Sequence, residues 1–560
     1  MKKITLSILL LVMIKAQSQN FEWVRQIEGG SGFAFVSTLI TDLNGNIYLT
    51  GYFNGTVDFD TGSGVNNLTS NGDNDIFIQK LDQDGNFLWV KQIGGNGYDE
   101  VQSITIDNNG YIYLLGRFRE TVDFDPGTGI NNLTSNGDLD IFIEKLNQDG
   151  NFLWVKQIGS ADSEFGTSIT TDINNNLYIS GSFHETIDFN PGNGINNMTS
   201  NGDSDIFILK LDDSGNFLWV KQIGGSDSNT FPSVTTDING NVYLADEFKG
   251  IIDVDPGSEI NNIVANGFSD FFIEKLDQDG NFLWVKVLTF DSGQVDANSI
   301  IIDSNGLINI GGSFFGTIDF DPGTGIHNLT SNGDLDIFIE KLDQDGNFLW
   351  AKQIDGSADN YLQGMITDSN NDIYITGGFQ DTVDFNPGTE VVNLTANGLS
   401  DIYLEKLDAS GNFLWVSQIG GSSTDAANCV TIDTNDNLHI VGAFSDTVDF
   451  NPDTETNNLT ATGVFDGFVL KLRNPLLNAV DVTNNITNLY PNPNNGEFNL
   501  KYSNTNSKSI KIFDMTGKEI YSDYNSSTER FNLDLSSGIY FINIKLNTSN
   551  KVEMLKLIIE

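Results

Sequence analysis

The chain has 560 residues, with 57 Gly, only 10 Pro, and a formal net charge of −48. That length allows more than one domain, and Gly- and Asn-rich turns with few Pro suit a many-stranded all-β protein. So acidic a chain excludes nucleic acid and anionic lipid headgroups as partners and favours divalent cations, basic partners or plain solubility in a salty medium.

Taken in order, residues 1–18 read as a secretory signal peptide. Lys2-Lys3 is a basic start, 4–14 is an apolar run too short to span a bilayer, and Ala16-Gln17-Ser18 supplies a small-x-small cleavage pattern. The lack of Cys near its end argues against a lipoprotein anchor, and no other segment is long and apolar enough for a membrane span. The single cysteine, Cys429, excludes a disulfide within the chain and reads as a small strand residue.

From residue 21 to 473 a repeat takes over. The seven Trp stand at 23, 89, 154, 219, 284, 350 and 415, one per 65 or 66 residues. Such a period means units that bury their apolar faces against neighbours. In the second copy, period-two alternation predicts strands over 101–107, 111–118, 140–146 and 152–158. Asn108-Asn109-Gly110 joins the first pair, and Asn147-Gln148-Asp149-Gly150-Asn151 joins the last. Between the second and third strands runs an excursion, 120–139, expected to form a small extra hairpin on one rim, where binding loops gather.

The end copies are broken in complementary ways. FEWVRQI (21–27) is a fourth strand with no third, and DGFVLKL (466–472) is a third strand with no fourth. Docked together, they would complete one last four-stranded unit and remove two free sheet edges. The expected fold is therefore all-β, a seven-bladed β-propeller closed by pairing of its terminal strands. No window shows a 3.6 period, which excludes an α-solenoid. The order ITIDNNGYIYLLGRF … DIFIEKLNQDGNFLWVKQIGG resembles the SBBP repeat family of bacterial β-propellers, and more distantly NHL-type propellers. That resemblance covers 21–472 and implies a scaffold rather than an activity.

Residues 474–488 lack strand periodicity and read as a linker. Residues 474–560 carry 8 Lys and Arg against 9 Asp and Glu, whereas 21–473 carry 17 against 67. Over 489–560, short strands with turn signals suggest a small β-sandwich. Tyr490-Pro491-Asn492-Pro493, Gly496, the turn at 514–518 and Gly538-Ile539-Tyr540 resemble the C-terminal sorting domain of the type IX secretion system. The resemblance implies export by that machinery in a Bacteroidetes-type bacterium. It also implies removal of the domain by a sortase-like peptidase, with the product attached to the cell surface or released.

For chemistry, the best candidates are carboxylates two apart in each excursion: Asp58 and Asp60, Asp123 and Asp125, Asp253 and Asp255, Asp319 and Asp321. Sharing a strand face, they are the start of a Ca²⁺ site, or else caps of the turn that follows. In Asp188/Asn190, Asp384/Asn386 and Asp449/Asn451 the second acid is neutral. The Asp82-Gln83-Asp84-Gly85-Asn86 turn lacks an EF-hand's continuation and reads as a tight turn. Glu144, Glu274, Glu340 and Glu405 read as strand-surface partners of Lys. Arg117 and Arg119 share a strand face without a convergent set, and His184, His327 and His439 occupy three different repeat positions. No catalytic residue and no cofactor other than calcium is expected. Near-identical copies favour a multivalent binding, adhesion or structural role, as a monomer, toward glycans or surface and matrix proteins. The alternative is a glycan-active hydrolase or lyase.

Overall fold

The computed structural model describes residues 20–473 and 488–559, apart from 228–231, 267–268, 291–292, 453–454, 491–493, 502–507, 515–517, 527–529 and 547–551. The expected signal peptide, residues 474–487 of the expected linker, and Pro491, Asn492 and Pro493 lie outside the described residues. Among the described residues the chain is all-β, with no helix and so none long and apolar enough to cross a membrane. It divides into two units, 1–474 and 475–560.

In the larger unit each repeat folds as a four-stranded antiparallel meander. In the second copy the strands are Glu100–Ile106, Ile112–Phe118, Asp140–Leu146 and Phe152–Ile158, in that spatial order. Each runs within one residue of its expected span. Both turns are capped by their first residue. In the first copy Asp82 Oδ1 accepts from the Asp84 and Asn86 amides, and Asn86 Nδ2 donates to Asp82 Oδ2 at 2.9 Å.

The joints between neighbouring sheets repeat too. Lys80 Nζ donates to Gln148 O of the following sheet at 3.1 Å, Lys145 to Asp213 O at 2.7 Å, and Lys210 to Gln278 O at 2.9 Å. Each of these lysines reaches the third-to-fourth turn of the next copy. The Gly of that turn sits at positive φ, +71° at Gly150, and a Cβ there would lie 2.9 Å from the Trp89 ring of the preceding sheet. Only glycine meets both conditions.

The last sheet takes strands from both ends of the unit. Asn20–Ile27 pairs antiparallel with Asp466–Arg473, Asn20 facing Arg473 and Ile27 facing Gly467. Its joints to the first sheet are those seen elsewhere. Lys471 Nζ donates to Gln83 O at 2.9 Å, and a Cβ on Gly85 would lie 3.0 Å from Trp23. Arg25 adds bonds to the carbonyls of Gly85 and Asp84. First strands of successive sheets adjoin, and Ala426–Ile432 adjoins Phe33–Thr41. An extra residue bulges most of these strands, and its side chain can stitch across: Asn298 Nδ2 to Leu362 O at 2.6 Å, and Asn428 Nδ2 to Val36 O at 2.8 Å. Cys429, next to that bulge, is contacted by the Thr38 hydroxyl.

Lys406 is the telling exception. The sheet after it has no third-to-fourth turn, because those strands come from opposite ends. Lys406 instead meets Asp368 at 3.0 Å and Asp372 at 2.9 Å.

The expected extra hairpins form, as three-residue strands such as Thr121–Asp123 with Asn132–Thr134. They do more than decorate a rim. Val122 and Asp123 pair with Gly95 and Gly94 of the preceding sheet, and Glu28 bridges Asp58 at the last joint. Beneath each hairpin an aromatic group packs edge to face; Phe118 and Phe124 are 5.2 Å apart with planes at 86°.

In the smaller unit, Asn488–Tyr490, Glu497–Lys501 and Arg530–Asn532 form one sheet, and Lys508–Asp514, Glu519–Ser526, Gly538–Leu546 and Val552–Ile559 form another. Both contribute to one core that includes Phe498, Leu500, Ile510, Phe531, Ile542 and Leu557. The expected sandwich is therefore present, its first strand beginning at Asn488. Gly496 has φ +97°, and a Cβ there would lie 2.2 Å from Leu533 O.

Candidate functional site

The excursion carboxylates hold their own loop. Asp123 Oδ1 accepts from the Asp125 amide at 3.1 Å and the Asn131 amide at 2.8 Å; Asp125 Oδ1 accepts from Gly127. Asp58 and Asp60, Asp253 and Asp255, and Asp319 and Asp321 do the same. The strand stops at Asp123, so Asp125 lies past its end rather than beside it on one face. Among the described residues no group of three or more His, Cys, Asp or Glu side chains is placed to hold a metal.

The glutamates differ from expectation. Glu144, Glu274, Glu340 and Glu405 do not pair on a strand surface: all are fully buried, with no hydrogen-bond partner on either carboxylate oxygen. Burial, and then nearby acids such as Asp125 beside Glu144, push their carboxyls well above the usual range. His439, at the position where five other copies carry Tyr and one carries Asn309, is also buried, 6.3 Å from Trp23 and 3.5 Å from Asp433; burial lowers its pKa.

The copies are alike where they stack and unlike at one rim. Antiparallel order puts the starts of first strands and the ends of second strands at the same edge. At the position before the closing Phe of the second strand stand Tyr52, Arg117, Ser182, Glu247, Ser313, Gly378 and Ala443. Across three consecutive sheets these departures meet. Tyr52 stacks on Phe35 (5.2 Å, 25°), with Phe33 edge-on at 6.1 Å. The Arg117 guanidinium lies 4.9 Å over the Phe165 ring and 5.9 Å over Tyr98. Its Nη2 is 2.8 Å from Glu100 Oε2, which also accepts from the Tyr98 hydroxyl at 2.6 Å; Gln102 donates to the other oxygen. Burial raises the Tyr52 and Tyr98 phenols, aided by the Glu100 charge. All these side chains are half-buried.

Below the same rim, buried acids hold the connecting loops. Asp99 accepts from the Gly95 amide at 2.8 Å, and burial pushes it up to about 7; Glu164 is likewise raised to about 7 and Asp425 to about 6. His184 and Arg119 serve local loops, His184 against Asp203 O and Arg119 against Asp138 at 2.6 Å. His327 tilts against Phe348 at 5.0 Å. Sequence reading overlooked the rim cluster, although comparing the copies position by position carries its signal.

Two family descriptions match the chain. Beta-propeller repeat (SBBP) covers 22–57, 88–117, 153–182 and 218–245, and Secretion system C-terminal sorting domain covers 488–560. Residues 22–245 carry β-propeller repeats, and residues 488–560 are a type IX sorting domain. The sorting domain marks the protein for export to the outer cell surface or beyond it. Within that domain Tyr490 closes the first strand and Gly496 fills the close approach to Leu533.

An uncharacterised WD repeat-containing protein of Acanthamoeba polyphaga mimivirus is 26% identical over 440 residues, 65% of this chain and 32% of that protein. Regulatory protein FlaEY of Caulobacter vibrioides is 22% identical over 215 residues, 37% of this chain and 22% of that one. The chain thus spans a third or less of these relatives' length. Among solved structures, a Bacteroides caccae protein of unknown function aligns with 60% of this chain and 94% of its own at 13% identity and TM-score 0.28. PorZ, a surface component of the type IX secretion system of Porphyromonas gingivalis, aligns with 97% of this chain and 99% of its own, at 11% identity and TM-score 0.14.

Proposed function

We propose that the exported protein is a non-catalytic binding module, a closed ring of seven four-stranded blades whose first-strand rim holds a neutral glycan. The ring reading is supported by the pairing of Asn20–Ile27 with Asp466–Arg473 and by Lys471 and Trp23 repeating the internal joints. The cluster of Phe35, Tyr52, Tyr98, Glu100, Arg117 and Phe165 carries the binding reading. Aromatic faces suit the apolar C–H face of a pyranose, and the Arg117–Glu100 pair offers donors and acceptors to its hydroxyls. The charge of −48 disfavours acidic polysaccharides and nucleic acid. Glu100 is occupied by Tyr98, Arg117 and Gln102, which suits a fixed acceptor better than a mobile acid–base group. The surface function needs one copy of the chain.

A glycan array probed with the purified protein tests this. Retention on neutral glycans that is lost in Arg117→Ala and Tyr52→Ala supports it. Binding unaffected by both variants, or cleavage of the glycans, overturns it.

A further inference from the structure

The four buried glutamates have an internal control. At the same register the first copy carries Gln79, also fully buried, and its Nε2 donates to Phe59 O in the excursion at 2.7 Å. Gln79 faces Leu49 and Val90 in the neighbouring strands; Glu144 faces Leu114 and Val155, Glu274 faces Leu244 and Val285, and Glu405 faces Ile375 and Val416. Two further copies place Leu209 and Leu470 there. Three of seven copies are thus uncharged at a site where an ion would be stranded in an apolar junction. A protonated carboxyl has the shape of the Gln amide and, like it, one end that donates.

We propose that Glu144, Glu274, Glu340 and Glu405 are neutral acids in the folded protein, donating to the main-chain carbonyls of Phe124, Val254, Phe320 and Phe385. Each is then a proton-binding site that ties an excursion hairpin to its third strand. The charged groups facing them are all acidic: Asp125 for Glu144, Asp253 and Asp255 for Glu274, Asp321 for Glu340, and Asp384 for Glu405, which also faces the Tyr403 phenol. These carboxylates oppose ionisation, so the proton is held until alkali removes it. The junction then carries an unpartnered charge and loosens.

The test is the pH dependence of thermal unfolding of the whole protein, compared with a variant carrying Glu→Gln at all four positions. Asp99, Glu164 and Asp425 have largely titrated by about pH 8. Between there and pH 10 the wild type should lose several degrees of Tm, and the variant less than half as much. The infrared band of protonated carboxyl groups should weaken in the variant. Glu144→Leu, the residue two copies already use, is the second variant if the quadruple change fails to fold; it should lose a little Tm at pH 7, where the Phe124 carbonyl goes without its donor, and flatten the slope in part. An unchanged slope in whichever variant folds overturns the proposal. So does a calcium-dependent rise in Tm that only the wild type shows, because it would make these carboxylates cation ligands.

Discussion

The two edges of each sheet follow different rules. The turn edge is nearly the same in every copy, with its Asp caps, its Gly under the preceding Trp and its Lys reaching the next turn. The opposite edge changes from Tyr52 to Arg117 to Ser182 over three successive copies. Residues that make the joint cannot vary without spoiling the stack, whereas the other rim is free to diverge. Regularity marks what the fold needs, and divergence marks where specificity has room to arise.

The largest effect expected from breaking this contrast is at the turn edge. Gly150→Val adds a left-handed conformation that Val resists and atoms where Trp89 packs, and should cost about 3 kcal/mol in urea unfolding. Lys145→Met removes one joint bond and leaves Asp213 O short of a partner, at about 1–2 kcal/mol. Lys471→Met should match it if the last joint is equivalent to an internal one; a much smaller cost at Lys471 would mean that joint is not sealed.

On the divergent rim, Arg117→Ala should weaken glycan retention by about 10-fold, or about 1.4 kcal/mol, while changing unfolding far less than Gly150→Val does. The smallest effect is a pH slope. Asp99 is raised in the folded state, so the fold holds this proton more tightly than the unfolded chain does. Its stabilisation is complete below the ordinary Asp range near pH 4 and is lost as pH rises through about 7. Asp99→Asn should flatten part of the Tm decline over that window.

Strand positions were readable because the Trp period and the Asp-Gly turns are local signals. The glutamates were not. Alternation in DIFIEKL suggests one wet face, yet all seven residues of Asp140–Leu146 are buried, since a stacked sheet is covered on both sides. The alternation therefore points Glu144 to the surface, where it does not lie. The rim cluster was hidden for another reason: Tyr98 reaches Arg117 through the pairing of Glu100 with Arg117 in their own sheet, and Phe165 through the packing of the next sheet, and neither is a local signal. The excursion acids Asp123 and Asp125 carried two meanings in sequence, and their bonds to loop amides show them capping it.

The seam strand sets an order of events. Glu22 lies 451 residues before its partner Arg473, so Asn20–Ile27 is made first and seated last. Contacts so distant in sequence form slowly, and until Asp466–Arg473 has been made Asn20–Ile27 has no partner strand. A ribosome that stalls before Asp466 leaves that strand with no sheet to join. Completion of the proposed ring thus reports, through hydrogen bonds alone, that the whole repeat array has been translated.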